Sequence, residues 1–227
     1  MTDYAIPVPP QPSLPVAGSP LRFPVRRIFC VGRNYAEHAR EMGNDPDREP
    51  PFFFTKPADA LVEDGATVAY PPATADLHYE AELVVALGKG GADIPVAEAL
   101  GHIWGCAAGN DLTRRDLQAQ AKAMKRPWDM AKGFDASAVC GALTPYDGRA
   151  FTGRIRCLVN GAERQSADLA DMIWPVADVI AHLSGLVTLR PGDLIYTGTP
   201  AGVGALVHGD TCVVEVEGIG SVSTTIA

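Results

Sequence analysis

Apolar residues in this chain gather in short runs that end at Gly or Pro. Arg27-Ile28-Phe29-Cys30-Val31 runs into Gly32, Phe52-Phe53-Phe54-Thr55-Lys56 into Pro57, and Glu82-Leu83-Val84-Val85-Ala86-Leu87 into Gly88, so each reads as a strand. His102 to Gly109 reads as another. The second half is mostly β. Asn160-Gly161 lies between Ile155–Val159 and Glu163–Ser166, a hairpin signal because both central residues of a type I′ turn need positive φ. Leu194–Tyr196, Thr211–Val216 and a final strand after Gly218-Ile219-Gly220 follow.

Helical signals are fewer. Asn34 to Met42 can form a short helix, broken by the polar, Pro-containing stretch Gly43 to Pro51; joined by few apolar contacts, helix and loop could move as a lid. Thr113-Arg114-Arg115-Asp116 has capping-box spacing and predicts a helix from about Arg114 to Met124. A further helix is expected over Pro175 to Leu183, with Gly185 past its end. Pro7, Pro9, Pro10, Pro12, Pro15, Pro20 and Pro24 resist helix and core strand, so residues 1–25 read as an extended arm on the surface or against a partner. Residues 26–227 then form a single domain without repeat or linker.

Composition narrows the class. At 227 residues with 47% apolar side chains the chain can bury a sizeable core, which excludes disorder. A net charge of −8 argues against a nucleic-acid surface. The five cysteines, Cys30, Cys106, Cys140, Cys157 and Cys212, are odd in number and mostly within apolar runs, as buried reduced thiols are. With no signal-peptide pattern and no apolar window near ~18 residues, the expectation is a soluble cytoplasmic protein.

Candidate chemistry centres on acids. Glu80 and Glu82 share a strand face with Val84 and Ala86. Two carboxylates on a buried face need a cation or a proton to offset their repulsion and lost hydration; alternatively the pair lies at a solvated strand end. Asp111 follows another apolar strand, as a third oxygen ligand or as a helix cap. Three such ligands suit Mg²⁺ or Mn²⁺ better than zinc. His38 and Glu41 share a helix face, as a carboxylate-oriented base or as an ordinary surface pair. The glycines of Tyr196-Thr197-Gly198-Thr199-Pro200-Ala201-Gly202-Val203-Gly204 permit close backbone approach, so this loop either binds a carboxylate or makes a tight turn. It lacks the lysine of a nucleotide-binding loop.

Together these motifs resemble the fumarylacetoacetate hydrolase family, in its short acylpyruvase and fumarylpyruvate hydrolase branch, from about Arg26 onward. Gly32-Arg33-Asn34-Tyr35 with His38 and Glu41 is similar to the family's lid and catalytic pair, and His78-Tyr79-Glu80-Ala81-Glu82 to its two-glutamate motif. Asn110-Asp111 through Arg115-Asp116 to Gln118, then Lys132, then Thr197-Gly198-Thr199-Pro200 follow in the family's order. The resemblance implies an α+β, β-rich fold, a mixed rolled sheet with a few flanking helices, and a homodimer. It implies a metal held by Glu80, Glu82 and Asp111 (Mg²⁺, with Mn²⁺ or Ca²⁺ as substitutes), His38, Glu41 and Lys132 as catalytic groups, and Arg33, Arg115, Gln118 and Thr199 on a dicarboxylate substrate. The implied reaction is cleavage of a carbon–carbon bond in an acylpyruvate, fumarylpyruvate being favoured, in aromatic-ring breakdown. Oxaloacetate decarboxylation, keto–enol isomerisation, and non-catalytic metal-dependent binding of dicarboxylates are the alternatives.

Overall fold

Alternation of side chains on two faces organises the molecule. The computed structural model describes residues 3–42 and 50–227. Strand Ala81–Leu87 is buried throughout because it lies inside an eight-stranded sheet. Across that sheet the order is Phe53–Lys56, Arg27–Val31, Asp193–Tyr196, Ala81–Leu87, Ile103–Asp111, Ala138–Cys140 and Leu61–Val62, with Thr144–Pro145 also paired to Ile103–Asp111. Arg27–Val31 and Asp193–Tyr196 run parallel, whereas Ala81–Leu87 is antiparallel to both neighbours, so the sheet is mixed. Its curl, β-richness and few helices make the expected α+β architecture.

Leu83, Val85 and Leu87 join one core with Ile155, Cys157, Val214 and Val222 of a five-stranded sheet and with Val179, Ile180 and Leu183 of helix Val176–Leu186. Val84 and Ala86 turn the other way, into a second cluster with Leu14, Phe23, Ile28, Cys30 and Tyr196. Full burial of each such Leu, Ile or Val contributes about 1.5–3 kcal/mol. The acids lie where this second face reaches the strand ends.

Several expectations need correction. Residues 3–10 are exposed, but Ser13–Pro15 and Arg22–Pro24 pair as a hairpin whose Leu14 and Phe23 enter the second cluster. Pro15 and Pro24 sit at the ends of a two-stranded ribbon, where a missing N–H costs little; the Pro15 carbonyl accepts the Leu143 N–H. Helix Val176–Leu186 runs through Gly185. Helix Arg115–Ala123 has no side-chain cap. Asp116 instead accepts from Thr74 Oγ1 and the Ala75 and Leu117 N–H groups, while Thr113 is drawn into the site. The first helix spans Ala36–Glu41; the loop Gly43–Glu49, expected to break it, lies outside the described residues. Asn160 and Gly161 both have positive φ, as the hairpin signal required. All five cysteines are free and buried.

Candidate active site

Three strand ends bring the acids together. Glu80 precedes strand Ala81–Leu87, Glu82 lies within it, and Asp111 ends the neighbouring strand Ile103–Asp111. One ligand oxygen from each lies within 4.8 Å of the others, and all three side chains are buried. Asn110, on the same strand as Asp111, sets the register: its Oδ1 accepts the Glu80 N–H at 2.9 Å.

Cations surround the cluster. Lys132, on the short helix Asp129–Lys132, is 2% exposed and donates to Glu80 Oε2 and Asp111 Oδ2 at 2.8 Å and to Thr113 Oγ1 at 2.7 Å. Arg115 pairs with Glu80 Oε1 and donates to Gln118 Oε1 at 2.7 Å. Lys56, which sequence reasoning missed, closes strand Phe53–Lys56 with its ammonium buried, donating to the carbonyls of Leu112 and Lys132. Its Nζ is 2.7 Å from Asp111 Oδ1, but the approach lacks hydrogen-bond geometry, leaving that buried oxygen without a donor.

These contacts divide the acids electrostatically. Burial pushes Glu80 up, but Lys132, Arg115 and His38 pull its carboxyl well below the usual range. Burial, with Asp111 and Glu80 close by, pushes Glu82 well above it. Burial also opposes the charge on Lys132, yet Asp111 and Glu80 raise its pKa, so the ammonium is fixed. An all-oxygen donor set and a buried carboxyl that resists ionising alone fit an oxygen-preferring divalent cation.

The His38–Glu41 pair and the glycine loop meet here too. His38 is 4% exposed, and its Nδ1 lies 3.1 Å from Glu41 Oε2. Burial lowers its pKa despite the opposing pull of Glu80 and Glu41, so the ring is held neutral. Glu41 also accepts the Gly202 N–H at 3.3 Å, and Glu82 Oε2 accepts the Gly198 N–H at 2.7 Å. At Gly198 φ is +100°, and an added Cβ would stand 2.7 Å from Asn34 Cβ; only glycine fits there. Asn34 ties the stretch before helix Ala36–Glu41 to the molecule through the Trp174 backbone and the Thr197 carbonyl. Thr199 is buried, and its hydroxyl accepts from Gln165 Nε2 at 2.8 Å. Gln165 also accepts the Ala81 N–H between the two glutamates, so it links loop to strand; no spacing in the sequence marks it. Arg33 lies across the Phe52 ring, 4.9 Å from its centroid.

A family model for the carboxy-terminal domain of fumarylacetoacetate hydrolase matches residues 27–227. The chain belongs to the fumarylacetoacetate hydrolase family. Within it, the fumarylpyruvate hydrolase of a Ralstonia species is 48% identical over 188 residues, 82% of this chain and 98% of that protein. The mitochondrial oxaloacetate tautomerase of Mus musculus is 39% identical over 198 residues, 86% and 88% of the two chains. The crystal structure of the Pseudomonas aeruginosa fumarylpyruvate hydrolase, in complex with Mn²⁺ and pyruvate, superposes with a TM-score of 0.97 at 48% identity, covering 99% of each chain.

Proposed function

We propose that this member of the fumarylacetoacetate hydrolase family is a metal-dependent hydrolase that splits a carbon–carbon bond in an acylpyruvate, converting fumarylpyruvate to fumarate and pyruvate. The convergence of Glu80, Glu82 and Asp111 beside the His38–Glu41 pair carries the reading, and the 48% identity to a fumarylpyruvate hydrolase supports it. Mg²⁺, replaceable by Mn²⁺ or Ca²⁺, is assigned to the three carboxylates, where it would supply Lewis-acid polarisation of a 2-oxo acid.

The chain's own residues do the rest. Neutral His38, oriented at Nδ1 by Glu41, takes a proton from water through its other ring nitrogen, and the water oxygen attacks the carbonyl joining the acyl arm to the pyruvyl methylene. The bond between them breaks, its electron pair passing to the pyruvyl carbon, and the acyl group departs as a carboxylic acid that releases the water's second proton to solvent. His38 then returns its proton to that carbon. The fixed ammonium of Lys132 stabilises the enolate charge as it develops. Arg33, Arg115, Gln118 and Thr199 hold the substrate's carboxylates and oxo groups.

Purified protein assayed against acylpyruvates and oxaloacetate, with and without chelator, tests this. Fumarylpyruvate cleavage that chelation abolishes is expected; equal rates before and after chelation overturn it. The identity to an oxaloacetate tautomerase favours a second reading, in which the same site enolises oxaloacetate without hydrolysis. His38→Ala separates them: it should abolish acylpyruvate cleavage, and full retention favours chemistry without that base. The reading extends to a role in aromatic breakdown, a cytoplasmic location and a homodimer, the last checked by light scattering. No helix among the described residues is long and apolar enough to cross a membrane.

A further inference from the structure

Two walls run outward in step from the acid cluster. On helix Arg115–Ala123, residues 115, 118 and 122 form one stripe. Arg115 grips Glu80, Gln118 is buried against Arg115, and Lys122 stands one turn beyond Gln118, about 6 Å farther along the axis. Facing it, the stretch leading into strand Phe53–Lys56 presents Lys56, Phe54 and Phe52 on one face. Lys56 touches Asp111, the Phe54 ring lies 4.9 Å from Lys132 Nζ, and Phe52 carries Arg33. Trp128 lines the same cavity as Phe52, Phe54 and Lys132, its ring 5.4 Å from Phe52 and 6.0 Å from Phe54.

Lys122 Nζ sits 5.0 Å above that Trp128 ring. Unlike Lys56, Lys132 and Arg115, it makes no ion pair among the described residues. Lys122 is an exposed residue whose ammonium is partly desolvated; that desolvation, with Arg115 and Arg33 nearby and against the opposing pull of Glu80, lowers its pKa to about 8. A cation placed this way is stabilised by an incoming anion. From Arg115 to Lys122 the stripe covers about 10 Å of helix axis. An extended seven-carbon diacid, with bonds of about 1.5 Å, has a similar length, on the order of 8 Å.

We propose that Lys122, seated on Trp128, is a specificity-determining residue that binds the far carboxylate of the substrate. It thereby selects acylpyruvates whose acyl arm ends in a carboxylate over those ending in methyl. This rests on the acylpyruvate reading and names the substrate class within it.

The test compares wild type, K122M and K122R on fumarylpyruvate and acetylpyruvate, with fumarate binding measured by calorimetry as a readout independent of turnover. In K122M the ratio of kcat/KM for fumarylpyruvate to that for acetylpyruvate should fall roughly 10- to 100-fold, the loss of one charge-assisted hydrogen bond. Most of the change should lie in KM, fumarate should bind correspondingly more weakly, and K122R should restore most of the ratio. An unchanged ratio in a K122M protein with wild-type Tm overturns the assignment of Lys122. A wild type inactive on both acylpyruvates overturns the parent reading instead.

Discussion

Burial, Asp111 and Glu80 push the Glu82 carboxyl above its ordinary value of 4.5, and this sets how the protein answers to pH and metal. A raised folded pKa gives stability that is present below the unfolded value and lost as pH rises through the folded one. A divalent cation favours the ionised form and offsets that loss. The Tm gain on adding Mg²⁺ should therefore grow with pH from the acid side; calorimetry showing no gain at any pH would remove the cation from this cluster. His38 is shifted the opposite way, below 6.5 by burial, so its neutral base persists below that pH. The ascending limb of kcat/KM should lie below pH 6.5. Because Glu41 raises the His38 pKa, Glu41→Gln should move that limb further to acid and cut kcat about 10- to 100-fold, as loss of base orientation does. The acids were legible because period-two alternation places Glu80 and Glu82 together. Lys56 and Gln165 were not, because their partners come from 56 and 84 residues away in the chain. The one local sign of Lys56 is a lysine closing an otherwise apolar strand.

The glycine loop acts as a unit, holding Glu82 through Gly198 and Glu41 through Gly202. Gly198→Ala adds a Cβ at φ +100° against Asn34, and the loop must retreat from both acids. Strain of about 1–3 kcal/mol should lower Tm by roughly 2–10 °C, with activity falling more than the fraction unfolded accounts for. Activity that tracks folded protein alone would reduce the loop to a spacer. Elements with strong local chemistry were readable: Asn160-Gly161 fixed its hairpin without help from the rest of the molecule. Thr113 misled because its hydroxyl has a better use, accepting from Lys132 rather than capping a helix. Two-residue strands such as Leu61–Val62 and Thr144–Pro145 carry too little periodicity to be seen; pairing with larger strands creates them.

At the scale of the whole molecule, the hairpin Ser13–Pro24 covers the second apolar cluster, which ends at the acids. Removing residues 1–10 should leave Tm within a degree or two, since residues 3–10 are exposed. Removing residues 1–25 strips Leu14, Phe23 and Val25 from the sheet and should give insoluble or metal-insensitive protein; Leu14→Ala alone should cost about 2–5 kcal/mol by denaturant unfolding. A soluble, active 26–227 fragment would show the hairpin to be dispensable. Strand Asp193–Tyr196 is inserted between Arg27–Val31 and Ala81–Leu87. On the ribosome the first strands to emerge must therefore wait, unpaired along those edges, until nearly the whole polypeptide has been made. Assembly of the sheet is a late, slow event governed by contacts between distant parts of the chain, and the cell must shield those apolar edges during the interval.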